Sequence, residues 1–455
     1  MKLLALTALS PIDGRYAEQT AALRPLLSEY GLFRFRVLIE IRWLQALAAQ
    51  PDIQEISALS ATAQTTLNAL FENFSVEDAA HIKTIEAKIR HDVKAVEYFL
   101  KEKFSAHPEL VAIQEFVHFA CTSEDINNLA YSLMLKSARA EALLPKMETL
   151  IKQLSDFAHK TAHQALLGRT HGQPAIPTTV GKEFANVVYR LRQQHQHFSE
   201  TSLCGKLNGA IGNYSAHRIA YPPIDWPTVS QKFVESLGLT WLPYTTQIAP
   251  HDDIVHYCDH LRHFNSILIN LASDLWGYIA QGYFVQQSPA QEVGSSTMPH
   301  KINPIDFENA EANLSLANSL LQHFSQHLLQ SRWQRDLRDS SLLRNLAVAI
   351  AHSLLAWKNL LRGLNQLRVD TQQLDETLAA HWEILAEAIQ TVLRRYHSEL
   401  PYERLKALTR GKRLDQKTLH AFIHSLNIPE EARQRLLSLT PQNYLGYAIE
   451  LAETI

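Results

Sequence analysis

The run IVHYCDHLRHFNSILINLASDLWGYI, residues 254–279, decides the fold. Ile254, Cys258, Leu261, Phe264, Leu268, Leu271, Leu275 and Ile279 step by three or four throughout, which draws one apolar stripe along a long amphipathic helix. The same stepping recurs in Phe307, Ala310, Leu314, Ala317, Leu321, Phe324 and Leu328, and again in Leu343, Leu346, Ile350, Leu354, Trp357, Leu361 and Leu364. Two further long helices are expected across 126–164 and 178–203. Helices of this length side by side predict an antiparallel bundle. Ile267, Ile269, Leu316 and Leu320 lie off the main stripes. A second stripe means contacts on two sides of a helix, within the subunit or across an oligomer interface.

Outward from the bundle, the first 110 or so residues read as helices broken by turns, and the helices shorten again from about 365. The expected fold is therefore all-α in three domains. Residues 1–111 form an N-terminal helical domain, 112–364 a central long-helix bundle domain, and 365–455 a C-terminal helical domain. Segment 205–250 holds Gly205, Gly209, Gly212 and the paired Pro222 and Pro223. It is the least helical part and is expected to carry a short hairpin.

Composition narrows the function. The 455 residues are 46% hydrophobic, ample for a packed core, while 15 glycines and 18 prolines are few enough to favour long helices. A net charge of −3 with no block of like charge argues against a nucleic-acid footprint, which needs a clustered basic face. Cys121, Cys204 and Cys258 are far apart and in no CxxC pattern, so they offer neither a disulfide framework nor a zinc site and suit a reducing cytosol. The apolar run Leu3 to Leu9 meets Asp13-Gly14-Arg15 without a small-residue cleavage site. No stretch approaches the ~18 consecutive apolar residues of a membrane span. A soluble cytoplasmic protein is expected, with no membrane partner.

Between the stripes of 254–279 and 307–328 lies Gly294-Ser295-Ser296-Thr297-Met298-Pro299-His300-Lys301-Ile302-Asn303-Pro304, the far half of a polar connection over 286–304. Connections longer than roughly 12–15 residues inside a compact domain are usually lids or binding loops. This one combines adjacent hydroxyls, a glycine that lets backbone N–H groups approach a ligand, and a lysine. Pro299 and Pro304 stiffen its end. The residue choice suits anion capture and proton chemistry.

The loop resembles the signature of the aspartase/fumarase superfamily, whose members eliminate fumarate from a succinyl group. Its Met298-Pro299-His300-Lys301 core resembles the adenylosuccinate lyase and muconate cycloisomerase branches. Further blocks resemble the adenylosuccinate lyase family: Ser10-Pro11-Ile12-Asp13-Gly14-Arg15-Tyr16, His91-Asp92-Val93-Lys94-Ala95-Val96-Glu97, Thr122-Ser123-Glu124-Asp125-Ile126-Asn127-Asn128, Arg169-Thr170-His171-Gly172-Gln173-Pro174-Ala175 and Ser331-Arg332-Trp333-Gln334-Arg335-Asp336-Leu337. The resemblance implies an all-α lyase whose bundles associate as a homotetramer with active sites shared between subunits. It implies two small-molecule substrates, adenylosuccinate and the succinyl-carboxamide imidazole ribotide SAICAR, and no cofactor. A sister lyase or cycloisomerase is the competing enzyme reading, and a catalytically silent helical scaffold is the competing non-enzyme reading.

Eliminating fumarate from a succinyl–amine needs a base beside a carboxylate, stabilisation of the carbanion, an acid for the departing nitrogen, and grips for an anionic substrate. The resemblance implies Ser295 as base. Serine is a poor base precursor, and each pKa unit of depression needs about 1.4 kcal/mol, here from Lys301 and from N–H groups of the Gly294–Ser296 turn. Chemistry alone does not separate Ser295 from Ser296. His171 is the candidate acid, because histidine titrates near neutrality and this one sits in a turn ahead of the 178–203 helix. His91 resembles a substrate-binding residue able to tune or share that role. By resemblance, Thr122, Ser123, Gln247, Lys301 and Asn303 hold the succinyl end. Arg15, Tyr16, Arg335, Ser340, Ser341 and Arg344 gather the nucleotide and its phosphate, with Leu342 and Leu343 in the same segment. Arg90, His91, Asp92 and Asn309 complete the set, although Arg90 stands where the close pattern has asparagine before His-Asp-Val.

His256, His260 and His263, at i, i+4 and i+7, imitate a helical metal face. They lie opposite the apolar stripe and Tyr257 stands where a metalloprotease needs glutamate, so a solvated helix face is expected and no metal.

Overall fold

The computed structural model of the chain describes residues 4–287, 297–298, 301–397, 401–409 and 414–455. Helix accounts for 66% of it, and the described strands form only three two-stranded sheets, so the all-α expectation holds. Helix starts follow local chemistry. α1 (Glu29–Ala48) begins where Ser28 Oγ accepts from the Gly31 N–H. α2 (Val76–Ile89) opens on a Ser75–Asp78 capping box, and α3 (Asp92–Phe104) on His91, whose Nδ1 accepts from the Lys94 N–H.

The helix expected over 126–164 is two elements, α4 (Ser123–Ala138) and α5 (Leu144–Lys160), joined by a π-helical stretch over 139–143. After them come α6 (Val180–Glu200), α7 (Asp252–Ala280) and α8 (Ile305–His327). The last sequence stripe divides into α9 (Arg338–Leu343) and α10 (Leu346–Gln366). The stripe residues Cys258, Leu261, Phe264 and Leu268 of α7 are fully buried, as are Phe307, Ala310, Leu314, Ala317 and Leu321 of α8. Among the described residues no helix is long and apolar enough to cross a membrane.

The hairpin is not where the glycines of 205–250 placed it. There, β3 (Cys204–Gly205) and β4 (Thr240–Trp241) pair in parallel. The hairpin joins β1 (Ala165–Thr170) to β2 (Gln173–Thr179) around a two-residue loop, His171-Gly172. Pro174 and Pro177 disguise β2, since proline removes ladder donors and normally marks a sheet edge. In a two-stranded sheet every strand is an edge, so both are tolerated. A third small sheet pairs β5 (Phe284–Gln286) antiparallel with β6 (Leu367–Val369).

The chain divides into two compact units, and every internal boundary falls inside a long helix. Unit 1 comprises residues 1–147, 194–266 and 312–358. Its core includes Trp43, Phe264 and Trp357, with the Trp357 indole N–H donating to Asn265 Oδ1 (3.0 Å) and Asn265 Nδ2 to Ser353 Oγ (2.8 Å). Unit 2 comprises 148–193, 267–311 and 359–455. Its C-terminal core gathers Leu378, Leu385, Ile389, Leu393, Leu419, Ile423 and Leu436 with Leu167 of the hairpin.

Candidate active site

In unit 1 the residues expected to grip an anion stand at helix ends. Arg90 closes α2 in the left-handed conformation (φ 57°), so the chain reverses before α3 and presents His91, exposed, with Asp92 behind it. Thr122 and Ser123 sit at the start of α4. That start is held by Asp125, which is fully buried and accepts from the Thr122 N–H (2.8 Å), the Asn208 N–H (3.0 Å) and the Gly209 N–H (3.1 Å) while pairing with the buried Lys206 ammonium (2.8 Å). His91 and Ser123 line one cleft of about 360 Å³, together with Lys94, Glu97, Tyr98 and His118.

Asp92 accepts from two guanidiniums, Arg36 (2.7 Å) and Arg344 (3.1 Å), both at Oδ2. Burial pushes its carboxyl up, but the two arginines and the Val93 N–H outweigh that and hold it below the ordinary carboxylate range. Arg335 pairs with Glu124 (2.9 Å) and donates to Gln247 Oε1 (3.1 Å), and the Gln247 amide donates to the Ala210 carbonyl (2.9 Å). Asn127 bridges the two groups. Its Oδ1 accepts from Arg36 Nε (2.9 Å) and its Nδ2 donates to Glu124 (2.7 Å). Gln247, Asp92 and the pair Arg335 and Arg344, which the sequence assigns to three different groups, are thus one hydrogen-bonded array.

The rest of the unit 1 set stands on α9 and near the start of the chain. Ser340 is half-buried, its N–H donating to Asp339 Oδ1 (2.7 Å), and Ser341 is exposed. Leu342 is half-buried, and Leu343 is buried on the wall of a small cleft that it shares with Arg344 and Tyr131. Arg15 is exposed, its guanidinium 5.9 Å from the centre of the half-buried Tyr16 ring.

In unit 2, His171 occupies the tip of the β1–β2 hairpin. Both loop residues have positive φ, 51° for His171 and 73° for Gly172, as a tight two-residue turn requires. The ring is consequently exposed at a fixed point rather than on a helix face. Arg169 steadies the turn by donating to the Gly172 carbonyl (3.3 Å) and to the Tyr283 hydroxyl (3.2 Å). Lys301 is exposed, Asn303 half-buried, and Asn309 accepts from the Asn359 amide. Ser295, Ser296 and His300 lie outside the described residues, as does most of the loop over 286–304.

Sequence reasoning missed Arg36, Glu124, Asn127 and the pair His118–Glu40. His118 has φ 62°, and both its N–H (3.0 Å) and its Nδ1 (2.6 Å) meet the fully buried Glu40 carboxylate. Burial pushes the His118 imidazole down, but Glu40 more than offsets it and the pKa is raised. A signal was present: Arg36 and Glu40 are charges four apart on the same helical face as Phe33, Trp43 and Leu47. The three-histidine face of α7 is exposed at His256 and His263 and half-exposed at His260.

Residues 14–317 match the family model described as Lyase, and 331–445 match the one described as Adenylosuccinate lyase C-terminal. Over 455 residues the chain is 54% identical to the adenylosuccinate lyase of Escherichia coli K12 and 53% identical to that of Haemophilus influenzae, each covered completely. Among solved structures it resembles a fumarate lyase from Mesorhizobium sp. BNC1 (TM-score 0.75, 19% identity, 95% of this chain and 96% of that one). It also resembles the 3-carboxy-cis,cis-muconate lactonizing enzyme of Pseudomonas putida (TM-score 0.71, 22% identity, again 95% and 96%). At those identities the two structures speak for the fold alone.

Proposed function

We propose that this chain, which belongs to the adenylosuccinate lyase family, cleaves adenylosuccinate to AMP and fumarate and the related SAICAR to AICAR and fumarate. Full-length identity of 54% to a relative of that name carries the reading. In the reaction Ser295 takes a proton from the succinyl carbon beside the carboxylate, the C–N bond breaks as the C=C bond of fumarate forms, and His171 delivers a proton to the departing nitrogen. Lys301, Thr122, Ser123, Gln247 and Asn303 hold the succinyl carboxylates. Arg15, Tyr16, Arg335, Ser340, Ser341, Leu342, Leu343 and Arg344 hold the nucleotide, with Arg90, His91, Asp92 and Asn309 beside them. The exposed turn that fixes His171 and the array around Asp92 and Arg335 support these roles.

The same reading makes the protein a cytoplasmic homotetramer whose subunits share active sites, organised as domains 1–111, 112–364 and 365–455. Leu316 and Trp276, about half exposed on α8 and α7, are the kind of apolar surface such an assembly covers. The test is turnover of adenylosuccinate followed by absorbance. His171→Ala and Ser295→Ala should each lower kcat by roughly 10²–10⁴, the range for losing a proton carrier. Activity surviving in Ser295→Ala moves the base to Ser296, and a folded wild-type protein without turnover refutes the assignment.

A further inference from the structure

Arg36 is 1% exposed in the middle of α1, and a buried guanidinium needs partners that justify its desolvation. It has two. Nη2 donates to Asp92 at 2.7 Å and Nε to Asn127 at 2.9 Å. Asn127 faces a group that only donates on one side and, on the other, the Glu124 carboxylate, which only accepts, so its amide orientation is determined. From Glu124 the chain of contacts continues to Arg335 and Gln247. Three guanidiniums therefore meet two carboxylates, Asp92 and Glu124, at hydrogen-bond distance. Glu29 stands 3.9 Å from Arg344, beyond hydrogen-bond reach, and is half exposed.

The two arginines on Asp92 are unequal. Arg36 is buried and closer, whereas Arg344 is 3.1 Å away with a side chain 42% exposed. Were Arg344 the sole cation there, giving it up to a ligand would strand a partly buried carboxylate. We propose that Arg36 is a positioning residue for anion capture. It neutralises Asp92 from inside, leaving Arg344 able to turn to the substrate's phosphate, and through Asn127 and Glu124 it sets Arg335. This rests on the lyase reading above.

The experiment compares wild type, Arg36→Met and Arg36→Lys in adenylosuccinate turnover and, independently of catalysis, in AMP binding by calorimetry. In Arg36→Met, Asp92 recruits Arg344, so KM for adenylosuccinate and Kd for AMP should rise at least tenfold, about 1.4 kcal/mol, with kcat within a factor of about three. Arg36→Lys keeps a charge for Asp92 without the fork that reaches Asn127, and should fall between. A merely structural role would instead lower the active fraction, and so kcat, at constant KM. Unchanged KM and Kd in a folded Arg36→Met, or a fall in kcat alone, overturns the proposal. Should Arg36→Met not fold, Arg36→Lys decides it: KM raised at constant kcat supports the role, and wild-type KM refutes it. A wild type that binds AMP, with binding weakened in Arg36→Met, yet leaves adenylosuccinate intact would refute the lyase reading and keep the positioning role.

Discussion

Replacing Lys206 by methionine tests how the start of α4 is held. Lys206 and Asp125 are both fully buried, with 2.8 Å between charges. At that separation two unit charges attract by ~6 kcal/mol at an effective dielectric constant of 20, most of which offsets desolvation. Removing one partner of such a pair usually costs about 3–5 kcal/mol. Asp125 keeps the N–H donors of Thr122, Asn208 and Gly209, so Lys206→Met belongs at the low end, about 3 kcal/mol. The reverse change is harsher. Asp125→Leu deprives those three N–H groups of their acceptor and leaves Lys206 Nζ only the Gly209 carbonyl at 3.4 Å. At about 1–3 kcal/mol for each unsatisfied buried donor, it should exceed ~5 kcal/mol. It should also weaken substrate binding, because Thr122 and Ser123 lose their anchor. Urea unfolding followed by tryptophan fluorescence reads the loss, since the buried Trp43 and Trp226 lie in the same compact unit. Lys206→Met within about 0.5 kcal/mol of wild type, or costlier than Asp125→Leu, would refute the reasoning.

His217 is fully buried against Trp43, Trp226 and Tyr214, with neither ring nitrogen hydrogen-bonded among the described residues. Burial lowers its pKa to about 4, Asp125 opposes that and Lys206 adds to it. Because the folded pKa is depressed, its contribution is complete above the unfolded value near 6.5 and is lost as pH falls toward 4. At about pH 5 wild type should have lost roughly 2 kcal/mol relative to His217→Phe, measured by urea midpoints at the two pH values. Gly212 has φ 83°, and a Cβ there would lie 2.4 Å from the Thr245 carbonyl, so Gly212→Ala should displace the neighbouring Gln247 and raise KM severalfold. Gly172→Ala meets the same sign of φ in open space and should cost only about 1 kcal/mol, read as a small shift in unfolding midpoint.

The bundle was legible because its helices are long enough for the three-four stepping to dominate; α7 and α8 fall within a few residues of their sequence stripes. The β1–β2 hairpin was not, since its strands are short, contain prolines and shift register at Gly168, where a Cβ would collide with the Ile176 carbonyl. The residues proposed to bind substrate come from motif resemblance, each in its own block. What joins them was hidden for a physical reason. Arg36, Glu124 and Asn127 lie on helix faces that read as core, and a buried charge reveals its role only when the partner from a distant segment is known.

Backbone strain gives a second view of the same segments. Eight non-glycine residues among those described have positive φ: Arg90, His118, Ala120, His171, Tyr214, His251, Trp333 and His397. Each costs about 1–2 kcal/mol and persists only where the surroundings over-determine it. Arg90 and His171 belong to the proposed site set. His118 and Ala120 lead into Thr122, and Trp333 stands two residues before Arg335. His251 faces Asp339, the residue before Ser340, at 3.4 Å. Helices alone orient side chains along their own faces, and a polyanion must be met by groups converging from several helix ends. Within unit 1, Arg90, His118, Ala120 and His251 are reversals next to the ends of α2, α4 and α7. Substituting glycine at Arg90 would relieve the strain and lose the side chain together, so the change that keeps the reversal and isolates the side chain is Arg90→Asn, which tolerates positive φ. It should retain fold stability within about 0.5 kcal/mol and report, through KM, what the Arg90 charge itself contributes.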